Sequence, residues 1–292
     1  MKRSIFILGI GTLFLASCEE KPPVIHFTEA AVIMDTTYVG TVPTTEPHHV
    51  LIEEFTGQAC SNCPGAHDLL AEFAAANPGQ VHTTGLYNFG IQQTVPPGGS
   101  AYDLRDSIAT DIGNTIYLAV GAIPSGGVDR VPVAGKILLN KGDWGATLNS
   151  RLLIDDSLNL GVTSVWDATK GEAIITATIT YTKSVSGLHN LSIAITEDSM
   201  VDKQEFPLGV EEEHYVFTNV LRGMATAAPW GDPILPAMAV KEPGRVVIRS
   251  YKYKPKTLTP AINPAHCKVV AYVNSTGSAN KEVMQSAETK LK

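Results

Sequence analysis

Two cysteines three positions apart, Cys60 and Cys63, lie in the run Glu53-Glu54-Phe55-Thr56-Gly57-Gln58-Ala59-Cys60-Ser61-Asn62-Cys63-Pro64. Thiols at this spacing can perform disulfide exchange: one thiolate attacks a disulfide, and the second displaces what the first has captured. The apolar residues 50–55 read as a short strand and those after Cys63 as an amphipathic helix, so the pair sits at a strand-to-helix junction. Unpaired N–H groups and the positive dipole end at a helix start favour a thiolate there. Cys60 is the candidate nucleophile and Cys63 the resolving thiol. Two plainer uses stay open, a structural disulfide in an oxidising compartment or half of a zinc site. Zinc needs two further ligands. No second C-x-x-C exists, Cys267 is solitary, and His67 reads as a helix-surface residue, so no metal site is assigned and no cofactor is called for.

The elements that must position the pair follow from periodicity. Ala66, Leu69, Leu70, Phe73 and Ala74 share one helical face, and Asn77-Pro78-Gly79 ends it. Pro64 has no N–H to donate, which the first helical turn tolerates. A second strand is expected over 81–87. Ser100 and Asp103 have capping-box spacing and predict a helix running on through Leu104, Ile108, Ile112 and Ile116. Ile123-Pro124 then opens a strand toward Arg130.

Beyond position 157 the texture changes to two-residue alternation, clearest where Ile175, Ala177, Ile179 and Tyr181 alternate with threonines. The expected fold class is therefore α/β plus all-β, with an α/β unit over 48–155 and a β-sandwich of immunoglobulin or fibronectin type over 156–292. Residues 18–47 read as a tether with a possible edge strand. Residues 199–244 have weak period and read as an irregular insertion, Glu211-Glu212-Glu213-His214 as a solvated run and Trp230 as a core plug. His48-His49 reads as linker.

Lys2 and Arg3, an apolar core from Ile5 to Leu15, and Leu15-Ala16-Ser17-Cys18 form an export signal, too short to span a bilayer. The last four residues resemble the bacterial lipobox, which implies cleavage after residue 17 and lipid attachment at Cys18, hence a membrane partner. Cleavage removes two basic residues and no acidic one from a chain of 22 Lys+Arg against 29 Asp+Glu, so nucleic acid is not expected as a partner.

A dithiol at a strand-to-helix junction, followed some sixty residues later by Ile123-Pro124 opening a strand, resembles the thioredoxin superfamily. That resemblance implies a cis Ile123-Pro124 bond beside the sulfurs, Pro124 shaping the groove and keeping metals away, and the Ile123 backbone pairing with an extended substrate. It also implies a buried carboxylate six residues before the first cysteine. Glu54 holds that position and would take the proton of Cys63. Because neighbouring strand residues point to opposite faces, only one of Glu53 and Glu54 is expected to face inward. Ala59 stands where the family has tryptophan, and Pro64 follows the pair instead of lying within it, which opens the questions of potential and partner choice.

The lipobox, the Cys-Ser-Asn-Cys-Pro segment, Ile-Pro-Ser-Gly-Gly-Val-Asp-Arg at 123–130 and Asn-Val-Leu-Arg at 219–222 together resemble the lipoproteins related to outer membrane protein 28. The resemblance implies an outer membrane lipoprotein, facing the periplasm or the cell surface. Its partners would be exported proteins with thiols or disulfides if the dithiol exchanges, or surface ligands if the protein is adhesin-like.

Overall fold

The computed structural model describes residues 30–258, 260–277 and 280–292, so Cys18 and the export signal lie outside the described residues. The first half runs β1 (Ala30–Val39), β2 (Val50–Phe55), α1 (Pro64–Ala76), β3 (Val81–Leu86), α2 (Ser107–Asp111), β4 (Ser125–Val128), β5 (Leu139–Asn140) and α3 (Lys141–Arg151). Helix α1 starts with Pro64 in its first turn and stops at Asn77, whose backbone N–H and side-chain amide both donate to Phe73 O. It buries Pro64, Ala66 and Leu70.

The second helix begins later than the Ser100–Asp103 spacing predicts. Asp106 is its N-cap, accepting from the N–H groups of Ile108 and Ala109, and the helix then continues as a π turn over Ile112–Ile116. The physical reason is long-range. The N–H groups of Ala101 and Tyr102 donate to Asp202, and that of Leu104 to Gln58, so residues 101–104 are tied to other segments before a helix can claim them.

The second half adds β6 (Leu158–Asp167), β7 (Glu172–Tyr181), β8 (Val185–Ser186), β9 (His189–Glu197), β10 (Met200–Phe206), β11 (Val210–Phe217), β12 (Val220–Met224), β13 (Asp232–Ile234), β14 (Val240–Lys241), β15 (Arg245–Tyr253), β16 (Cys267–Ser275) and β17 (Val283–Lys290). The chain is mostly β, with several sheets. In β7 the alternating apolar residues are buried, as the period requires. The stretch after residue 199 is not irregular throughout, because β10 and β11 form a hairpin with its own two-stranded sheet and β12 enters the main sheet.

One four-stranded sheet has the order β1-β15-β7-β6, with the strand at 30–39 as its edge. Ile175, Ile179 and Tyr181 from this sheet pack against Ile193, Ile195, Val269 and Ala271 of β9 and β16, forming a buried layer. The large sheet runs β17-β16-β9-β12-β3-β2-β4-β5, with β13 also on β9. Strands from both sides of the expected 155/156 boundary therefore share one ladder system, joined where Val220 pairs in parallel with Gly85 and Gly85 N–H donates to Asn219 O. Strand β2 lies in its interior and is covered on both faces. Val50 and Ile52 pack with Leu70, Trp144 and Leu148, while Leu51 and Phe55 pack with Ile108, Ile112 and Tyr272.

Candidate functional site

Strand β2 pairs in parallel with β3 and antiparallel with β4, and Phe55 sits opposite Leu86 on one side and Ser125 on the other. The chain then turns tightly. Thr56 N–H donates to Leu86 O, Cys60 N–H to Gly57 O and Cys63 N–H to Cys60 O, and the Cys63 carbonyl accepts from Ala66 and His67 to begin α1. Gly57 is required by space, since a Cβ there would stand 2.3 Å from Gln93 O. Cys60 and Cys63 are joined in a disulfide with their Cα atoms 5.3 Å apart. Ile123-Pro124 is cis. Continuing the Phe55–Ser125 register places Pro124 opposite Thr56, at the end of β2 that feeds the cysteine loop.

Both glutamates are buried, not one, because each face of β2 is covered. On the α2 side Glu53 is held bidentately by Arg130, with Nε to Oε2 and Nη2 to Oε1 both 2.7 Å, and accepts from Tyr117 OH at 2.7 Å. Arg130 Nη2 also donates to Tyr272 OH. On the α1 side Glu54 has no such cation. Burial pushes its carboxyl up to about 8, and the Thr56 hydroxyl and the Lys141 charge offset this only in part.

His67 is not a surface residue. Its Nε2 lies 2.8 Å from Thr56 Oγ1 and 3.5 Å from Glu54 Oε1, and its Nδ1 is 2.7 Å from Tyr215 OH. Burial lowers its pKa to about 4. Glu54 and His67 both line a cavity of about 70 Å³, with Thr83 and Thr218 as further polar groups and Leu70, Ala71 and Ala74 as its apolar wall, roomy enough for water beside the polar groups.

The β10–β11 hairpin covers this assembly. The fully buried Gln204 donates its amide to Cys60 O and Gly57 O at 3.1 and 3.3 Å, and Glu205 N–H donates to Gln58 O at 2.9 Å. Asp202 accepts from the Gln58 side chain and from the N–H groups of Ala101 and Tyr102. Cys60 is 3% exposed and Cys63 0%.

His48 is also no linker residue. It is buried between Asp129 (Nε2 to Oδ2, 2.7 Å) and Asp156 (Nδ1 to Oδ2, 2.9 Å), and Arg151 Nε donates to the same Asp129 oxygen. Burial works against its charge, yet the two carboxylates raise its pKa to about 9. Cys267 is free and buried, and burial pushes its thiol up to about 12, so it is no nucleophile at neutral pH. Glu211 and Glu213 of the acidic run pair with Lys203, and Trp230 packs partly buried at the edge of the α2-side core with Lys281 over its ring. Among the described residues no three His, Cys, Asp or Glu side chains are grouped to hold a metal ion. No helix among them is long and apolar enough to cross a membrane.

The family model described as outer membrane protein Omp28 matches residues 115–292. That match begins beyond the dithiol. No curated protein matches the sequence. Among solved structures, HBP35 of Porphyromonas gingivalis is similar with a TM-score of 0.60 at 13% identity, over 84% of this chain and 76% of that one, a likeness of fold. A domain of the outer membrane lipoprotein Omp28 from Porphyromonas gingivalis aligns at 16% identity and a TM-score of 0.33 over 47% of this chain and 90% of that domain.

Proposed function

The chain belongs to the Omp28 family of outer membrane proteins, and from that premise we propose that it is a lipid-anchored thioredoxin-like protein that exchanges disulfides with exported proteins. The observation that carries this reading is the Cys60–Cys63 bond at the mouth of α1, on the same side of β2 as a buried carboxyl, Glu54, that keeps its proton at neutral pH. Cys63 is the N-cap of α1 and Cys60 lies three residues before it, and the unpaired N–H groups and positive dipole at that helix end favour a thiolate. A carboxyl near 8 can accept and return a proton across the physiological range.

In the reduced protein, Cys60 thiolate attacks a partner disulfide, forming the mixed disulfide and releasing one partner thiolate. In molecules whose Glu54 is ionised, a minority at pH 7 that grows as pH rises toward 8, Cys63 gives its proton to Glu54 and attacks the Cys60 sulfur, which forms the Cys60–Cys63 bond and releases the second partner thiolate. Two electrons pass from the dithiol to the partner, both released thiolates take up protons, and the reverse sequence oxidises a partner. Pro124 and the Ile123 backbone, at the cysteine-loop end of β2 and β4, would seat the extended partner segment. The all-β half would act as an immunoglobulin-like sandwich presenting the partner. Cys18 would carry the lipid.

The test is capture. Cys63→Ser should hold partner proteins as mixed disulfides through Cys60, and Cys60→Ser should hold none. If both variants exchange disulfides like the parent, this chemistry is not theirs.

A second reading has its own support in the burial of both sulfurs beneath the hairpin. In it the bond is a structural staple and the protein a surface-binding lipoprotein. A Cys60–Cys63 potential between roughly −270 and −120 mV supports exchange, and one below about −300 mV supports the staple.

A further inference from the structure

A cavity of about 570 Å³ opens on the α2 side of the large sheet, away from the Glu54–His67 cavity. Its size is that of a small-molecule site, roughly 300–1,000 Å³. Tyr117, Leu118, Ile137 and Leu138 give it apolar walls. Its charged lining is of one sign only: Arg130, Lys136 and Lys281, with no aspartate or glutamate. In a chain where 29 acidic residues outnumber 22 basic ones, three cations without a carboxylate in one wall is a local inversion.

The cations are only partly satisfied from within. Glu53 occupies Nε and Nη2 of Arg130, while Arg130 Nη1 is buried and has no hydrogen-bond partner. Lys281 donates to the Thr115 and Ile116 carbonyls and lies over the Trp230 ring, so its ammonium meets neutral acceptors only. No ion pair holds Lys281 or Lys136 among the described residues. Burial, and after it the Arg130 charge, pulls the Lys281 ammonium below its ordinary value, so these two cations lie close enough to repel. The backbone around the cavity is also unusual. Leu118, Ala119 and Arg130 hold φ of 62°, 111° and 54°, a left-handed region that non-glycine side chains seldom occupy and that clusters at ligand clamps.

We infer that this cavity binds a small organic carboxylate with a compact apolar body, the acid group between Lys281, Lys136 and the Arg130 corner, and the apolar body against Tyr117, Leu118 and Ile137. An inorganic anion would leave the apolar walls unused, and a neutral apolar molecule would leave the cations uncompensated. The inference stands independently of the dithiol chemistry.

Hydrocinnamate is the probe, with hydrocinnamamide as its neutral counterpart and inorganic phosphate as the charge-only control. All are titrated calorimetrically into the full chain, with total tryptophan emission followed alongside, to which Trp230 contributes from a ring centred 5.7 Å from Lys281. The acid should bind saturably, and the amide and phosphate at least about tenfold more weakly, the equivalent of about 1.4 kcal/mol. Lys136→Gln and Lys281→Gln should each weaken the acid about tenfold and leave the amide unchanged, with circular dichroism as the check on folding. Arg130 is left intact because its loss would strand Glu53. Absence of saturable acid binding, equal affinity for the amide or phosphate, or insensitivity to both lysine variants would each overturn the assignment.

Discussion

Glu54 Oε1 and His67 Nε2 stand 3.5 Å apart, and burial drives each toward its neutral form, the carboxyl up to about 8 and the imidazole down to about 4. The pair is a carboxylic acid beside a neutral imidazole at pH 7, not an ion pair. His67 in turn meets Tyr215 of the hairpin, so the buried acid is linked through one ring to the element that covers the sulfurs.

The rate at which Cys63 displaces thionitrobenzoate from Cys60 should therefore rise through pH about 8 in the parent, as Glu54 becomes a base. Glu54→Gln should lose that inflection and run about 100-fold slower, the lower end of what a positioned proton acceptor contributes. The stability sign follows from the same shift. A folded pKa raised from 4.5 to about 8 gives stability that is complete below 4.5 and lost as pH rises through about 8, and Glu54→Gln should flatten that part of the urea-midpoint profile.

Gln204→Ala should expose the dithiol. It removes two amide bonds to the cysteine loop, each contributing about 1 kcal/mol net. Loosening of that size shifts an open population by more than about tenfold. In the reduced protein Cys60 alkylation should accelerate to match, measured by mass shift under iodoacetamide, and equal rates in parent and variant would show that the hairpin does not limit access.

His48→Gln should remove a pH dependence instead of merely lowering stability. With a folded pKa raised from 6.5 to about 9, the stability His48 contributes is fully present below pH 6.5 and disappears as pH rises through about 9. Urea midpoints of parent and variant should be furthest apart in mildly acidic buffer and converge in alkaline buffer, where the parent loses this contribution.

Arg130→Ala and Glu53→Ala should each cost about 3–5 kcal/mol, because each strands a buried charge. The double variant should cost clearly less than the two together, a coupling that chemical denaturation of the four proteins measures.

What could be read from sequence was local. The strand over 50–55, the helix begun by Pro64 and the alternation in β7 are set by neighbours within a few residues, and all three appear where the pattern puts them. The misplaced helix start was legible in part, since Asp106 precedes an apolar run just as Ser100 does. What tipped the balance was Asp202, about a hundred residues away. His67 looked like surface because its partner Tyr215 is 148 positions distant. The burial of Glu53 depended on Arg130 and on cover over both faces of β2, and that of His48 on two aspartates from separate elements. The hairpin had left only a faint mark, the turn residues Pro207-Leu208-Gly209 between two runs without clear alternation, and nothing local to say that it would lie on the cysteine loop.

The shared ladder between β3 and β12 bears on how the molecule can be handled. A cut near residue 155 would bare a raw strand edge on each fragment, inviting adhesion between molecules instead of yielding two tidy modules. The cysteine-bearing half and the later, strand-rich half thus share one continuous hydrogen-bonded sheet, and whatever docks on one half meets a surface that the other helps to build.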